Sequence, residues 1–222
     1  MTLSDNKQIW SYWEGPGNKI LDECYDSWLK YLCDWNIDIL DEESVVDHLF
    51  MVPSTFDDMT PVMKSDIIRL NLLYKYGGVW MDATVLLKDN LKWLLDFTDN
   101  NTDNGYFQPR LGKANYFESW MIVSPNKQNP DIFKQLTLMT EIAEYHPNHD
   151  QTYIYKDCHC NYEQKRSKYF LIYQVYCYLA KNDPYFCKPK QLPFNAWLAL
   201  RGDEFSGTGL RKYINGGKDE LE

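Results

Sequence analysis

Residues 65–84 read SDIIRLNLLYKYGGVWMDAT, and this stretch decides the fold. Ile67, Ile68, Leu70, Leu72, Leu73 and Tyr76 recur at helical spacing. Ser65 fits an N-cap, and Asp66 then falls in the first turn, where the helix dipole favours an anion. Gly77 and Gly78 supply the left-handed residue that ends a helix, and a tight turn after it. Val79, Trp80 and Met81 form a short apolar run that Asp82 closes. A carboxylate ending a buried strand is costly unless it opens into a crevice or meets a cation. In open α/β sheets that crevice, outside the carboxyl ends of the strands, is where ligands bind.

Upstream, residues 7–13 (KQIWSYW) predict a first strand, followed by a turn at Glu14-Gly15-Pro16-Gly17. Residues 19–35 read as a helix with Ile20, Cys24, Trp28, Leu32 and Trp35 near one face. A short second strand at 38–40, an acidic helix at 41–50 and a loop at 53–60 complete the approach. This alternation predicts an α/β domain, with a central mixed, mostly parallel sheet flanked by helices. Downstream, 84–87 continues extended, 91–95 makes a helical turn, and 99–105 is a polar surface turn. A strand is expected at 120–123 and an amphipathic helix at 130–145. Residues 146–163 are polar and irregular, and an aromatic-rich helix follows at 168–180. One domain is expected over residues 1–222, with about 205–222 a flexible tail, glycine-rich and basic as far as Lys218 and acidic after it, or a linker to further domains.

Composition narrows the function classes. The formal net charge of −9, with no basic stripe, argues against a nucleic-acid partner. It leaves room for a nucleotide, whose diphosphate needs only local cations or a metal. No run of about 18 apolar residues suggests a transmembrane segment. The start MTLSDNKQIW lacks the pattern of a secretory signal, so a soluble, cytoplasmic protein is expected. The six scattered cysteines are then expected to be reduced thiols. Aromatic residues make up 16% of the chain, which serves either a core or ring platforms for sugars. His146, His149, Cys158, His159 and Cys160 match no standard zinc spacing, and an ordinary polar loop is the reading preferred for them.

The 65–84 stretch resembles the donor-site signature of capsular-polysaccharide-synthesis-type glycosyltransferases, which have a GT-A (Rossmann-like) fold. It is more distantly similar to glycosyltransferases with a DXD sugar-binding motif. The matching residues are Asp66, Arg69, Leu73, Tyr74, Gly77, Gly78, Trp80 and Asp82, and KQIWSYWEG at residues 7–15 matches the pattern around the family's base-stacking Trp. Such enzymes serve bacterial capsule synthesis and capsid glycosylation in large DNA viruses. The resemblance implies transfer of a hexose or deoxyhexose from a UDP-sugar to a glycan or glycoprotein acceptor, assisted by Mn²⁺ or Mg²⁺.

Site roles are likewise implied by the resemblance. Asp82, Ala83 and Thr84 stand at the metal and ribose, with Thr84 in place of the second Asp of DXD. Asp82 and Thr84 are the candidate metal ligands, although a threonine hydroxyl is a weak ligand for a hard cation. Asp66 and Arg69 contact the donor sugar or phosphate, the plain alternative being an intrahelical ion pair. Trp13 stacks on the uracil, next to Tyr12, while Trp10 is expected in the core. Residues 116–130 resemble a strand and turn near the acceptor, with Glu118 as the general base that an inverting enzyme would need. Lys168 stands where relatives often have an acidic residue before Tyr-Phe. Ser206, Gly207, Gly209, Arg211 and Lys212 either close over the diphosphate or belong to a disordered tail. Two other readings stay open: a catalytically silent nucleotide-sugar-binding module, and a nucleotide-sugar hydrolase.

Overall fold

The computed structural model describes residues 2–101, 105–110, 117–145, 171–195 and 209–213. Its centre is a six-stranded sheet in the order β2-β1-β3-β6-β5-β7. These strands are β1 (Gln8–Tyr12), β2 (Asn36–Leu40), β3 (Gly78–Met81), β5 (Phe107–Arg110), β6 (Met121–Ser124) and β7 (Lys190–Asn195). β1 pairs in parallel with both β2 and β3, and β5 with β7, while β6 runs antiparallel between β3 and β5. The mixed, mostly parallel sheet expected from the sequence is therefore present.

Alternation along the strands fills both faces of the sheet. Ile9, Val79, Met81, Phe107, Met121 and Val123 point to one side, where Trp28 of α1 (Lys19–Tyr31), its C-cap Leu32 and Leu94 of α3 (Lys92–Asp99) cover them. Trp10, Tyr12, Trp80 and Ile122 point to the other side. There they meet α2 (Pro61–Tyr76), α4 (Pro130–Tyr145) and α5 (Leu171–Asn182). α2 lies between the sheet and α4, which is why nearly every side chain from Asp66 to Leu73 is buried whatever its polarity.

The glycine pair does what the sequence requires of it. Gly77 caps α2 at φ 69°, and Gly78 opens β3 at φ 93°. A Cβ on Gly78 would lie 2.6 Å from the Gln8 carbonyl oxygen, so β1 and β3 approach there only without a side chain. The Trp10 indole closes this corner by donating to the Gly77 carbonyl at 3.0 Å.

Several boundaries differ from the sequence reading. α2 begins at Pro61 with Thr60 as N-cap, because proline suits the first helical position and the Thr60 hydroxyl accepts from the Met63 amide. Asp66 therefore sits in mid-helix, away from the dipole that Ser65 as a cap would have given it. Residues 41–50 hold only a short 3₁₀ turn, Val46–His48. The Asp41 carboxylate accepts from the Glu43 and Ser44 amides there, and that local turn competes with a helix. β5 and β7 escaped the sequence reading because each carries a proline, Pro109 and Pro193. Pro193 lies on the edge strand β7, and Pro109 falls at a register shift between β5 and β7.

The described part of the tail is ordered secondary structure. Leu210–Lys212 form β8, antiparallel to β4 (Val85–Leu87) in a separate two-stranded sheet. Leu210, its first residue, and Tyr213, just after it, are buried. Among the described residues, Cys24, Cys33 and Cys187 are free thiols. Among the described residues no helix is long and apolar enough to cross a membrane. The His146–Cys160 cluster, Lys168, Ser206 and Gly207 lie outside the described residues.

Candidate active site

The carboxyl ends of β1, β2 and β3 share one edge of the sheet, and the Trp13 amide bonds the Leu40 carbonyl across it at 3.0 Å. The chain passes from β1 to β2 on one side, then through α2 to β3 on the other side of β1. This edge is thus a topological switch point, where open α/β sheets hold ligands. Asp82 stands there at the end of β3, a quarter exposed at its side chain.

Its carboxylate is held from several directions. The Trp80 indole, two residues back on the same strand face, donates to Asp82 Oδ1 at 2.9 Å. Arg69 Nη2 lies 3.6 Å from that oxygen, and Lys212 Nζ lies 3.3 Å from Oδ2. Burial opposes ionisation of Asp82, but the charges of Lys212 and Arg69 outweigh it and hold the carboxyl below its ordinary value.

Asp66 shares the same arginine and behaves oppositely. Its Oδ1 is 3.1 Å from Arg69 Nη2, yet it is almost wholly buried. Burial pushes its carboxyl up to about 7, against the pull of Arg69 and with a further push from Asp82. Arg69 thus stands between a reluctant acid on α2 and an ionised one at the end of β3.

Arg69 is turned inward. Nε donates to the Ser65 carbonyl at 3.1 Å, Nη2 to the Ser65 hydroxyl at 2.8 Å, and Nη1 to the Ser119 carbonyl at 2.8 Å. Its guanidinium also stacks over the Trp80 ring, 5.0 Å from the centroid. These contacts fix the relation between α2, β3 and the approach to β6. Ser65 and Ser119 were missed as site residues by the sequence reading, and Trp80 was matched to the donor-site signature without a role of its own. Of the three only Trp80 carried a signal, its i, i+2 relation to Asp82.

Lys212 arrives from β8. The ladder with β4, closed by Tyr213 N–H to Thr84 O at 2.9 Å and Lys88 N–H to Gly209 O at 2.9 Å, sets its position. Its ammonium donates to the Thr84 hydroxyl as well as pairing with Asp82, and that hydroxyl in turn donates to the Tyr213 carbonyl at 3.2 Å. Ala83 and Thr84 are buried between these contacts.

The atoms expected to bind Mn²⁺ or Mg²⁺ are therefore engaged with an ammonium group. One carboxylate and one neutral hydroxyl, both bonded to a lysine, do not make the oxygen-rich anionic set that a hard cation prefers. Among the described residues no group of three or more His, Cys, Asp or Glu side chains is arranged to hold a metal ion. The residues present do not fit the expected metal.

The other expected residues are placed as follows. Tyr12 is buried with its hydroxyl donating to Glu14 at 2.8 Å, and Glu14 pairs with Lys64 at 3.2 Å. Tyr12 thus braces the loop after β1 against α2. Trp13 is half-buried at the edge, its indole donating to the Pro16 carbonyl at 3.1 Å. Glu118 is half-buried, and burial raises its carboxyl above the ordinary value although the Tyr173 hydroxyl donates to it at 3.3 Å. Asp82 and Lys212 also act on its ionisation, which places it within electrostatic reach of the β3 edge. Behind Ser119 a small cavity is lined by Gln108, Phe117, Gln135, Tyr173 and Tyr176.

Comparison with known proteins places the chain in a family. Residues 2–194 match the family model described as capsular polysaccharide synthesis protein. A curated relative, the glycosyltransferase afumC of Aspergillus fumigatus, is 33% identical over 104 residues, covering 39% of this chain and 27% of that protein. The match thus spans well under half of the fungal relative's length. Among solved structures, the PaToxG glycosyltransferase is similar with a TM-score of 0.42 and 17% identity over 77% of this chain and 86% of its own. The glycosyltransferase GlyE of Streptococcus pneumoniae gives 0.47 and 9%, over 85% of this chain and 45% of its own.

Proposed function

The chain belongs to the capsular polysaccharide synthesis protein family, and from that premise we propose that it is a nucleotide-sugar-dependent glycosyltransferase. The donor is a UDP-sugar carrying a hexose or deoxyhexose, and the acceptor is a hydroxyl of a glycan or glycoprotein. The observation that carries this reading is the ion array Asp66–Arg69–Asp82–Lys212 at the switch point of the sheet. A structural ion pair needs two partners. Here two carboxylates and two cations meet at an edge where ligands bind, and the outermost of them are partly exposed.

In the proposed reaction the bond between the anomeric carbon and the β-phosphate oxygen breaks. A bond forms between that carbon and the acceptor oxygen, whose proton is taken by a base. UDP leaves with the bonding electron pair, so charge develops on its diphosphate, and preorganised positive charge there is the largest expected contribution to catalysis. Asp82 accepts hydrogen bonds from donor hydroxyls, with Trp80 and Arg69 fixing its orientation. The exposed part of Trp13 offers a stacking surface for the base. Glu118 is the candidate base, and a raised carboxyl brings it nearer the pH at which it must take a proton.

The experiment is UDP release from UDP-glucose and UDP-galactose, with and without a panel of glycan acceptors, by the native chain and by Asp82→Ala. Acceptor-dependent release that the variant loses by about 100-fold or more supports the reading. Release independent of acceptor would make the protein a hydrolase. Binding without release against every acceptor would make it a recognition module.

A further inference from the structure

The two cations of the array are not equivalent. Arg69 is buried to within 4% of its surface, and its guanidinium is committed to Ser65, Ser119 and Asp66. It can orient Asp82, but turning outward would strand the Ser119 carbonyl and the Asp66 carboxylate in the interior. Lys212 has a different set of partners. It holds Asp82 Oδ2 and the Thr84 hydroxyl, the two groups that the sequence pattern assigns to a metal, and its side chain keeps some solvent exposure. An ammonium on a flexible stem can rotate its hydrogens from one oxygen partner to another without leaving its place. Its backbone is secured by the β4–β8 ladder and by burial of Leu210 and Tyr213, so the charge is delivered to this point by the fold.

We propose that Lys212 is the cation that neutralises the donor diphosphate, so that donor binding needs no divalent metal. The inference rests on the donor-site reading above and deepens it. Where a DXD enzyme pairs two carboxylates with a metal, this chain has one carboxylate, a threonine and a lysine. The substitution balances in charge: replacing the second aspartate by Thr84 removes one negative charge, and an ammonium in place of a divalent cation removes one positive charge. On donor binding the ammonium exchanges Asp82 Oδ2 for a phosphate oxygen, and Asp82 Oδ2 becomes available to a ribose or sugar hydroxyl. Strand β8 is then part of the donor site and is required for it.

The test is calorimetric titration of UDP into the whole chain after dialysis against EDTA, then again with excess Mn²⁺. The native chain is expected to bind UDP after EDTA, with an affinity that Mn²⁺ leaves unchanged. Lys212→Met is expected to weaken metal-free binding by about 10- to 100-fold, the loss of a charge-assisted contact. In that variant Mn²⁺ should recover part of the affinity, because Asp82 and Thr84 no longer hold an ammonium. Lys212→Arg keeps the charge and is expected to retain most of the metal-free affinity. If Lys212→Met fails to fold by circular dichroism, the native chain and Lys212→Arg still decide the matter.

Binding of UDP by the native chain only in the presence of Mn²⁺ would overturn the proposal and leave the donor site standing. Metal-free binding by Lys212→Met equal to that of the native chain would also overturn it. No binding of UDP to the native chain under either condition would remove the donor-site reading, and this proposal with it.

Discussion

Helix α2 carries buried polar side chains on two sides, and they are satisfied in different ways. On the side facing the loop after β2, the Asn71 amide group donates to the Met51 carbonyl at 2.9 Å and to the Ile67 carbonyl at 3.0 Å. Its oxygen accepts from the Phe50 and Met51 amides at 3.2 and 3.1 Å. Every partner is backbone, and nothing there is open to a ligand. On the side facing the end of β3, Asp66 and Arg69 meet Asp82 and Lys212, and the partners are charged side chains that reach a partly exposed edge. A polar group closed by backbone serves the fold. Charged groups that satisfy one another at a ligand-binding edge can exchange a partner for a substrate.

The largest loss of stability is expected where both roles meet. Arg69→Met leaves the buried Asp66 carboxylate and the Ser119 carbonyl without their partner, at a cost of about 3–5 kcal/mol in urea unfolding. UDP binding should be lost with it, because Asp82 loses its support. Asn71→Leu should cost about 2–3 kcal/mol through the orphaned Phe50 and Met51 backbone groups. Folded Asn71→Leu protein should nevertheless bind UDP as the native chain does. Equal damage to binding by both variants would erase the contrast between the two sides of α2.

A pH series sharpens the comparison within the charged side. The Asp66 carboxyl is raised from 3.8 to about 7, so between these values the folded chain keeps a proton that the unfolded chain has released. Its contribution to stability therefore falls as pH rises through that window and is level above it. Asp82 is lowered, so its contribution is present above the ordinary carboxylate value and is lost as pH falls through the folded one. Asp66→Asn should flatten the fall in stability between roughly pH 4 and pH 7 measured by urea unfolding. An unchanged slope would mean that Asp66 is ionised throughout.

The smallest effect on stability belongs to Trp13. Its side chain is half-buried and donates through the indole to the Pro16 carbonyl, while the amide bond to Leu40 survives substitution, so Trp13→Ala should cost no more than about 1 kcal/mol. Its effect on UDP affinity should be larger, about 1–3 kcal/mol if the uracil stacks on the ring. A variant with native affinity would move the base elsewhere.

Much of this was legible in the sequence, for reasons that differ by region. The α2–glycine–β3 unit was readable because helical spacing, two positive-φ glycines and a terminal carboxylate agree with one another. The α4 limits at 130–145 were readable from the proline that starts the helix and its apolar period. The start of α2 was misread because Ser65 looks like a cap, while Thr60-Pro61 provides one a turn earlier. β5 and β7 were hidden by prolines tolerated near a sheet edge. Asp66, Arg69 and Asp82 were found together, but which cation faces outward was not readable. That depends on strand β8, more than 120 positions downstream, folding back onto β4. No local pattern encodes that pairing, and the glycines around it pointed to a loose tail instead.

Co-crystallisation with UDP tests the central claim most directly. The account predicts the diphosphate against Lys212 at the end of β3, with the uracil on the exposed part of Trp13. UDP seated away from Asp82 and Lys212, for example against Tyr173 behind Ser119, would contradict it.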